Sequence, residues 1–245
     1  MSTLPGPRGA PVLEADLGPS AHAIFTTRAG GVSAVPYEHL NLGGGVGDDP
    51  EAVAANRRIA AAALGAPITF AEQVHGTGVL HPGQEAGTAD VVLGFDRGVG
   101  VLVADCVPVL LAAPGLVGAV HAGRRGLLAG VVQAAVDAMA AHGRPPTHAA
   151  IGPAICGRCY EVPANLRSEA MQVDGVLGSQ TSWGTPSLDL PAGVRAVLER
   201  AGVGQIVGSD VCTLTDHRFY SHRRDGPRTG RFAALVRPIT RDTPP

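Results

Sequence analysis

No lysine occurs in the 245 residues, and all 19 basic residues are arginine. That absence excludes a lysine Schiff base, a pyridoxal-phosphate lysine and the lysine of a GxxxxGK[ST] phosphate loop. Aromatics are scarce: 5 phenylalanines, 3 tyrosines and 1 tryptophan, too few for a base-stacking platform. No charge of one sign dominates. The 19 basic residues face 21 acidic ones, net −2, which is not the basic footprint of a nucleic-acid binder. A membrane span is missing too, because the longest apolar run, Val99 to Ala122, is broken by Asp105, Pro108 and Pro114. The N-terminus, MSTLPGPRGAPVLEADL, lacks the basic and apolar regions of a signal peptide. Four cysteines without such a signal fit a reducing cytosol, so a cytoplasmic protein is expected.

What is present is a chain with 45% hydrophobic residues, enough for a substantial core without disulfides. The 34 glycines and 20 prolines stay below the roughly 25–30% share of low-complexity chains and read as tight turns. Residues 1–20 read as a loose, flexible arm and 21–245 as a single catalytic domain, with no internal repeat. Asp48-Asp49-Pro50-Glu51 opens a helix to Leu64, with Asp as cap and Pro at the first position. Strands are expected at 22–27, 68–73, 79–81, 90–93, 99–104, 109–112, 117–121, 148–151 and 231–237. Further helices are expected from Arg125 or Gly126 to about His142, from Pro163 to about Val173 and from Pro191 to Ala201, and a surface loop over 173–187. Strand runs mixed with dispersed helices argue an α/β (α+β) domain with mixed sheets.

Three segments set a metal-binding side chain beside glycine or at a strand end: Gln73-Val74-His75-Gly76, Ala104-Asp105-Cys106-Val107-Pro108 and His121-Ala122-Gly123-Arg124-Arg125-Gly126. Strand ends on one rim are where sites gather in α/β folds. Two histidines and one cysteine make a three-ligand zinc set with the fourth position open. Each residue alone has a plainer reading, Cys106 as a small buried hydrophobe and each histidine as a hydrogen-bonded or exposed side chain. Arginines at a helix start stand against the dipole, which favours an anion held by Arg125 and the helix N-terminus. Arg218, Arg223, Arg224, Arg228 and Arg231 read either as a solvated hairpin with ion pairs or as an anion rim.

Further motifs follow in order: Phe25-Thr-Thr-Arg28-Ala-Gly-Gly31, Asn41-Leu-Gly43, Asn56-Arg57, Ala89-Asp90, Ile151-Gly-Pro-Ala, Cys159-Tyr-Glu-Val, Cys212-Thr, Ser221-His-Arg-Arg-Asp and Thr229-Gly-Arg231. Together with the three segments above, over residues 22–237, they resemble a widespread YfiH-like family. Its members are known as multicopper polyphenol oxidase (laccase-like), peptidoglycan editing factor and purine nucleoside phosphorylase. The resemblance implies layered mixed β-sheets flanked by helices, similar to the cytotoxic-necrotizing-factor catalytic domain. It implies His75, Cys106 and His121 as metal ligands, with zinc as the ion and copper as the alternative. It implies phosphorolysis of adenosine, inosine and methylthioadenosine, and deamination of adenosine, with purine nucleosides and phosphate as partners.

Within that expectation Asp105 is the catalytic carboxylate, acting with Cys106, His75 and His121, and Arg28, Asn41 and Arg125 contact substrate. The chain departs from the family pattern where Arg124 replaces a tryptophan, where Cys156-Gly-Arg-Cys159 replaces adjacent cysteines, and at His222 in place of a tyrosine. The CxxC lacks a second ligand pair and a thioredoxin context and reads as incidental. Three other readings compete. A copper oxidase of the laccase type needs His-x-His pairs, which this chain lacks. A cysteine hydrolase acting on peptidoglycan precursors would use Cys106 as nucleophile and His121 as base. A non-enzymatic metal-binding module would not need an open ligand position.

Overall fold

The computed structural model describes residues 3–5 and 11–239. Alternation along each strand sorts apolar side chains onto two faces, and this sorting builds the layers. In β14 (Phe232–Pro238), Phe232, Ala234 and Val236 face one core while Ala233 and Leu235 face another. This strand lies inside a six-stranded sheet ordered β1 (Thr3–Pro5), β2 (Pro11–Ala15), β3 (Ala21–Thr26), β14, β7 (Gly98–Val103) and β4 (Ile68–Thr69). All its pairs are antiparallel except β4 with β7.

A second six-stranded sheet runs β13 (Gln205–Gly208), β10 (His148–Ile151), β8 (Val107–Ala113), β9 (Leu116–Ala122), β6 (Val91–Gly94) and β5 (Val79–Leu80). Its outermost pairs are parallel and its inner ones antiparallel. The two sheets stack face to face on Phe25, Val99, Val101, Leu110, Val117 and Phe232. Helix α1 (Pro50–Leu64) covers the outside of the first sheet with Ala60, Ala63 and Leu64 against Ile24 and Leu235. Helices α2 (Arg124–Leu128), α3 (Val131–Ala141), α4 (Ala164–Val173) and α5 (Leu190–Arg200) lie on the side of the second sheet. There Val109, Leu111 and Val120 meet Val132, Met139, Val194 and Leu198. A short α6 (His222–Asp225) lies between β13 and β14. Layered mixed sheets flanked by helices are the fold the sequence led us to expect.

The local signals act as anticipated at α1: Asp49 accepts from the Glu51 N–H at 2.9 Å, Pro50 starts the helix, and Gly65 at φ 75° ends it. Elsewhere tertiary contacts override them. Residues 11–15 are a strand rather than loose arm, because Val12 and Leu13 find buried places when β2 pairs with β3; residues 1, 2 and 6–10 of that arm lie outside the described residues. The helix expected to run unbroken to His142 is two helices, since Gly130 at φ 93° halts the first turn and starts the second. The expected loop over 173–187 contains a hairpin, β11 (Gly178–Gln180) with β12 (Pro186–Leu188), anchored by buried Leu177 and Leu188. The strand expected over 68–73 stops at Thr69. Its far end instead uses the Gln73 side-chain amide, which donates to the Leu102 carbonyl at 2.8 Å and accepts from the Leu102 N–H at 2.7 Å, in place of a backbone pair. The late arginine segment is not a hairpin, and β13 was not foreseen at all.

Candidate functional site

The three ligand-bearing segments meet at one end of the stacked sheets. Along β9, Val117 and Ala119 point between the sheets, so alternation aims His121 the same way at the strand's end. Cys106 stands just before β8, whose Pro108 pairs with His121. Asp105 ahead of it holds φ 86°, a conformation a non-glycine residue adopts only when held. The holding contacts are present: the Thr213 hydroxyl and the Arg223 N–H donate to its carboxylate at 2.6 and 2.7 Å, and the Ile155 N–H to its carbonyl at 3.0 Å.

His75 also has a positive φ, 61°. Its turn is gathered by one fully buried carboxylate. Asp90 accepts from the backbone N–H groups of Val74, His75 and Gly76 at 3.2, 3.0 and 2.7 Å. The same carboxylate accepts from Nδ1 of His121 at 2.7 Å, which turns Nε2 of that ring toward the other donors. The imidazole and thiol donor atoms of His75, Cys106 and His121 then lie within 4.8 Å of one another. The two rings meet edge to face at 4.7 Å.

Glycine at position 123 makes the approach of these groups sterically allowed. A Cβ there would stand 2.6 Å from His75 Cδ2 and 3.2 Å from Cys106 Sγ.

Electrostatics prepare the thiol. Burial would raise the Cys106 pKa, but hydrogen bonds and charge from His121 and His75 pull it down to about 6. Burial would lower His121, but hydrogen bonds with Asp90 and Cys106 raise it to about 9. Burial would raise Asp90, yet His121 and the N–H groups of Gly76 and Val74 hold it below the ordinary carboxylate value. The sulfur is thereby favoured as thiolate, the form that binds metals, and His121 as imidazolium, whose proton a bound metal ion would displace.

The donors open into a cavity of about 750 Å³, within the size range of small-molecule sites. The 43–46 glycine loop, Gln73, Tyr160 and His222 line it, together with Arg57, Arg124, Arg125, Arg223 and Arg231. Arg125 and Asp105 stand on the wall. Arg28 and Asn41 do not. Arg28 pairs with Glu38 at 3.2 Å and lies over the Tyr220 ring. Asn41 is fully buried and accepts from the N–H groups of Gly43 and Arg231 at 3.0 and 2.8 Å, so it sets the glycine loop beside Arg231. The late arginine cluster divides: Arg223 and Arg231 reach the cavity, whereas Arg218 pairs with Asp216 and Arg224 with Asp225. Sequence reasoning assigned no role to Asp90 or Gly123. Their signals, an aspartate ahead of an apolar run and a glycine after a histidine, are too common to single out.

A family model described as multi-copper polyphenol oxidoreductase laccase matches residues 22–238. The chain belongs to that family. Among its relatives is a purine nucleoside phosphorylase of Streptomyces coelicolor, 52% identical over 88% of this chain and 95% of the relative. Another of that name, from Shigella flexneri, is 40% identical over 87% and 92%. Solved structures agree. A Neisseria meningitidis protein superimposes with a TM-score of 0.83 at 36% identity, covering 94% of this chain and 99% of that one. YlmD of Geobacillus stearothermophilus gives 0.82 at 33% identity, covering 92% and 94%. Among the described residues no helix is long and apolar enough to cross a membrane.

Proposed function

We propose that the chain is a metal-dependent purine nucleoside phosphorylase that also deaminates adenosine, with inosine, adenosine and methylthioadenosine as substrates. The observation that carries this is a His2Cys donor set opening into a cavity that five arginines also line. Relatives named purine nucleoside phosphorylase support the substrate class.

The donor chemistry fits zinc: two imidazoles, one oriented by a buried carboxylate, and a thiol held as thiolate, leaving one tetrahedral position open. Bound there, zinc would act as a Lewis acid and bring the pKa of a water to about 7. The arginines handle phosphate. Burial depresses the pKa of Arg57 and Arg231, so each gains from an anionic partner, and a planar guanidinium matches phosphate oxygens in pairs. Tyr160 and Arg124 offer flat groups for the purine; Arg124 takes this place where the family pattern has tryptophan.

Asp105 changes role. Both its carboxylate oxygens are engaged, by Thr213 and by the Arg223 N–H, so it positions Cys106 instead of carrying a proton. Glu72, exposed on the cavity wall, has room to exchange one during deamination. A second reading, a cysteine hydrolase, draws on the depressed Cys106 pKa beside His121.

The test is to incubate zinc-loaded protein with inosine, adenosine, methylthioadenosine and a UDP-linked cell-wall precursor, with and without phosphate. Phosphate-dependent release of free base and a ribose 1-phosphate, with inosine formed from adenosine, is expected. Cleavage of the precursor without any phosphate-dependent base release would overturn the proposal in favour of the hydrolase.

A further inference from the structure

Three of the four cysteines lie outside the site described above, and the fold gathers them. Cys156 and Cys159 share a tight turn in which the N–H groups of Cys159 and Tyr160 both donate to the Cys156 carbonyl at 2.9 Å. Cys212, 56 residues further on, is brought alongside by a bridge to Ala154. The three sulfurs lie within 4.8 Å of one another, and all three thiols are free. The CxxC thus has the partner that its sequence context lacked.

A backbone donor reaches one of the sulfurs: the Cys156 N–H donates to Cys212 Sγ at 3.4 Å. Such a donor favours thiolate over thiol. Three sulfurs this close resist ionising together unless a cation sits among them. Clustered thiolates select soft ions such as zinc and cuprous copper.

We propose that Cys156, Cys159 and Cys212 form a second, structural site for a thiophilic cation, zinc above all, which fastens together the two segments that hold the Asp105–Cys106 turn. Those segments are adjacent to the cluster in sequence: Ile155, next to Cys156, donates to the Asp105 carbonyl, and Thr213, next to Cys212, donates to its carboxylate. Cys156 and Cys212 are partly exposed, so an ion has a way in.

The test uses the full chain, stripped by a chelator under reducing conditions, reloaded with zinc and freed of excess. The wild type is expected to retain about two zinc ions per chain, and Cys106→Ser and Cys212→Ser about one each. Zinc that persists in Cys106→Ser belongs to the cysteine cluster, so failure of the first site and failure of this one are distinguishable. In Cys106→Ser, zinc is also expected to slow alkylation of Cys156, Cys159 and Cys212, read by peptide mass, which does not depend on Cys212→Ser folding. Absence of zinc from Cys106→Ser with alkylation equally fast with and without zinc would overturn the proposal, as would an intact mass lowered by the two hydrogens of a disulfide.

Discussion

Asp90 and His121 are joined twice: the His121 Nδ1–H donates to the Asp90 carboxylate at 2.7 Å, and the His121 backbone N–H donates to the Asp90 carbonyl at 2.8 Å. The carboxylate at the centre of this pairing also collects the three N–H groups of the His75 turn. One buried side chain therefore orients two of the three donors at once.

Asp90→Asn sets an amide N–H₂ against these N–H donors and weakens the hold on both histidines. Loss of a carboxylate behind a metal-bound histidine costs about 10–100-fold in metal affinity. Zinc competition against a coloured chelator should show a loss of that size. Unchanged affinity would mean that the His75 turn and His121 are held by the rest of the fold.

Gly123→Ala places a methyl 2.6 Å from His75 and 3.2 Å from Cys106. We expect weakened zinc binding, read by the same competition. Gly45→Ala, where an added Cβ meets nothing within 4 Å, serves as a control on the same cavity wall and should bind zinc as the wild type does.

Asp174 offers a pH test away from the cavity. Its carboxylate accepts from the Val176 N–H and pairs with Arg200 at 2.7 Å, which together depress its pKa. A depressed carboxylate pKa contributes stability above the unfolded value of about 3.9 and loses it as pH falls through the folded value. Asp174→Ala removes the side-chain cap of the short 3-10 turn Gly175–Leu177 and should cost about 0.5–2 kcal/mol near neutrality. Denaturant unfolding at neutral and acidic pH should show that difference shrinking as the solution is acidified below the ordinary aspartate range. A difference that stays constant would show that the carboxylate charge contributes nothing.

How much of this was legible in the sequence depends on the range of the interaction. Placement beside glycine or at a strand end marked His75, Cys106 and His121 as candidates, and the family resemblance joined them into one ligand set. Asp90 could not be read in this way, since its role arises from partners 15 and 31 residues away. Cys212 was hidden in the same way, and without it the CxxC looked incidental. Arg28 and Asn41 lie in recognisable motifs, but motif membership does not tell a residue that touches ligand from one that supports a loop. The helix break at Gly130 and the strand β2 were decided by backbone freedom and by burial against β3, which periodicity in a short window does not reveal.

We propose His75, Cys106 and His121 as the metal centre for phosphorolysis. The most direct measurement is the rate of phosphate-dependent hypoxanthine release from inosine as zinc is titrated back into chelator-stripped protein, beside Cys106→Ala. Activity should rise with zinc and saturate in the wild type, and stay near background in Cys106→Ala at every zinc level. Full activity in the stripped protein, or in Cys106→Ala, would contradict the account.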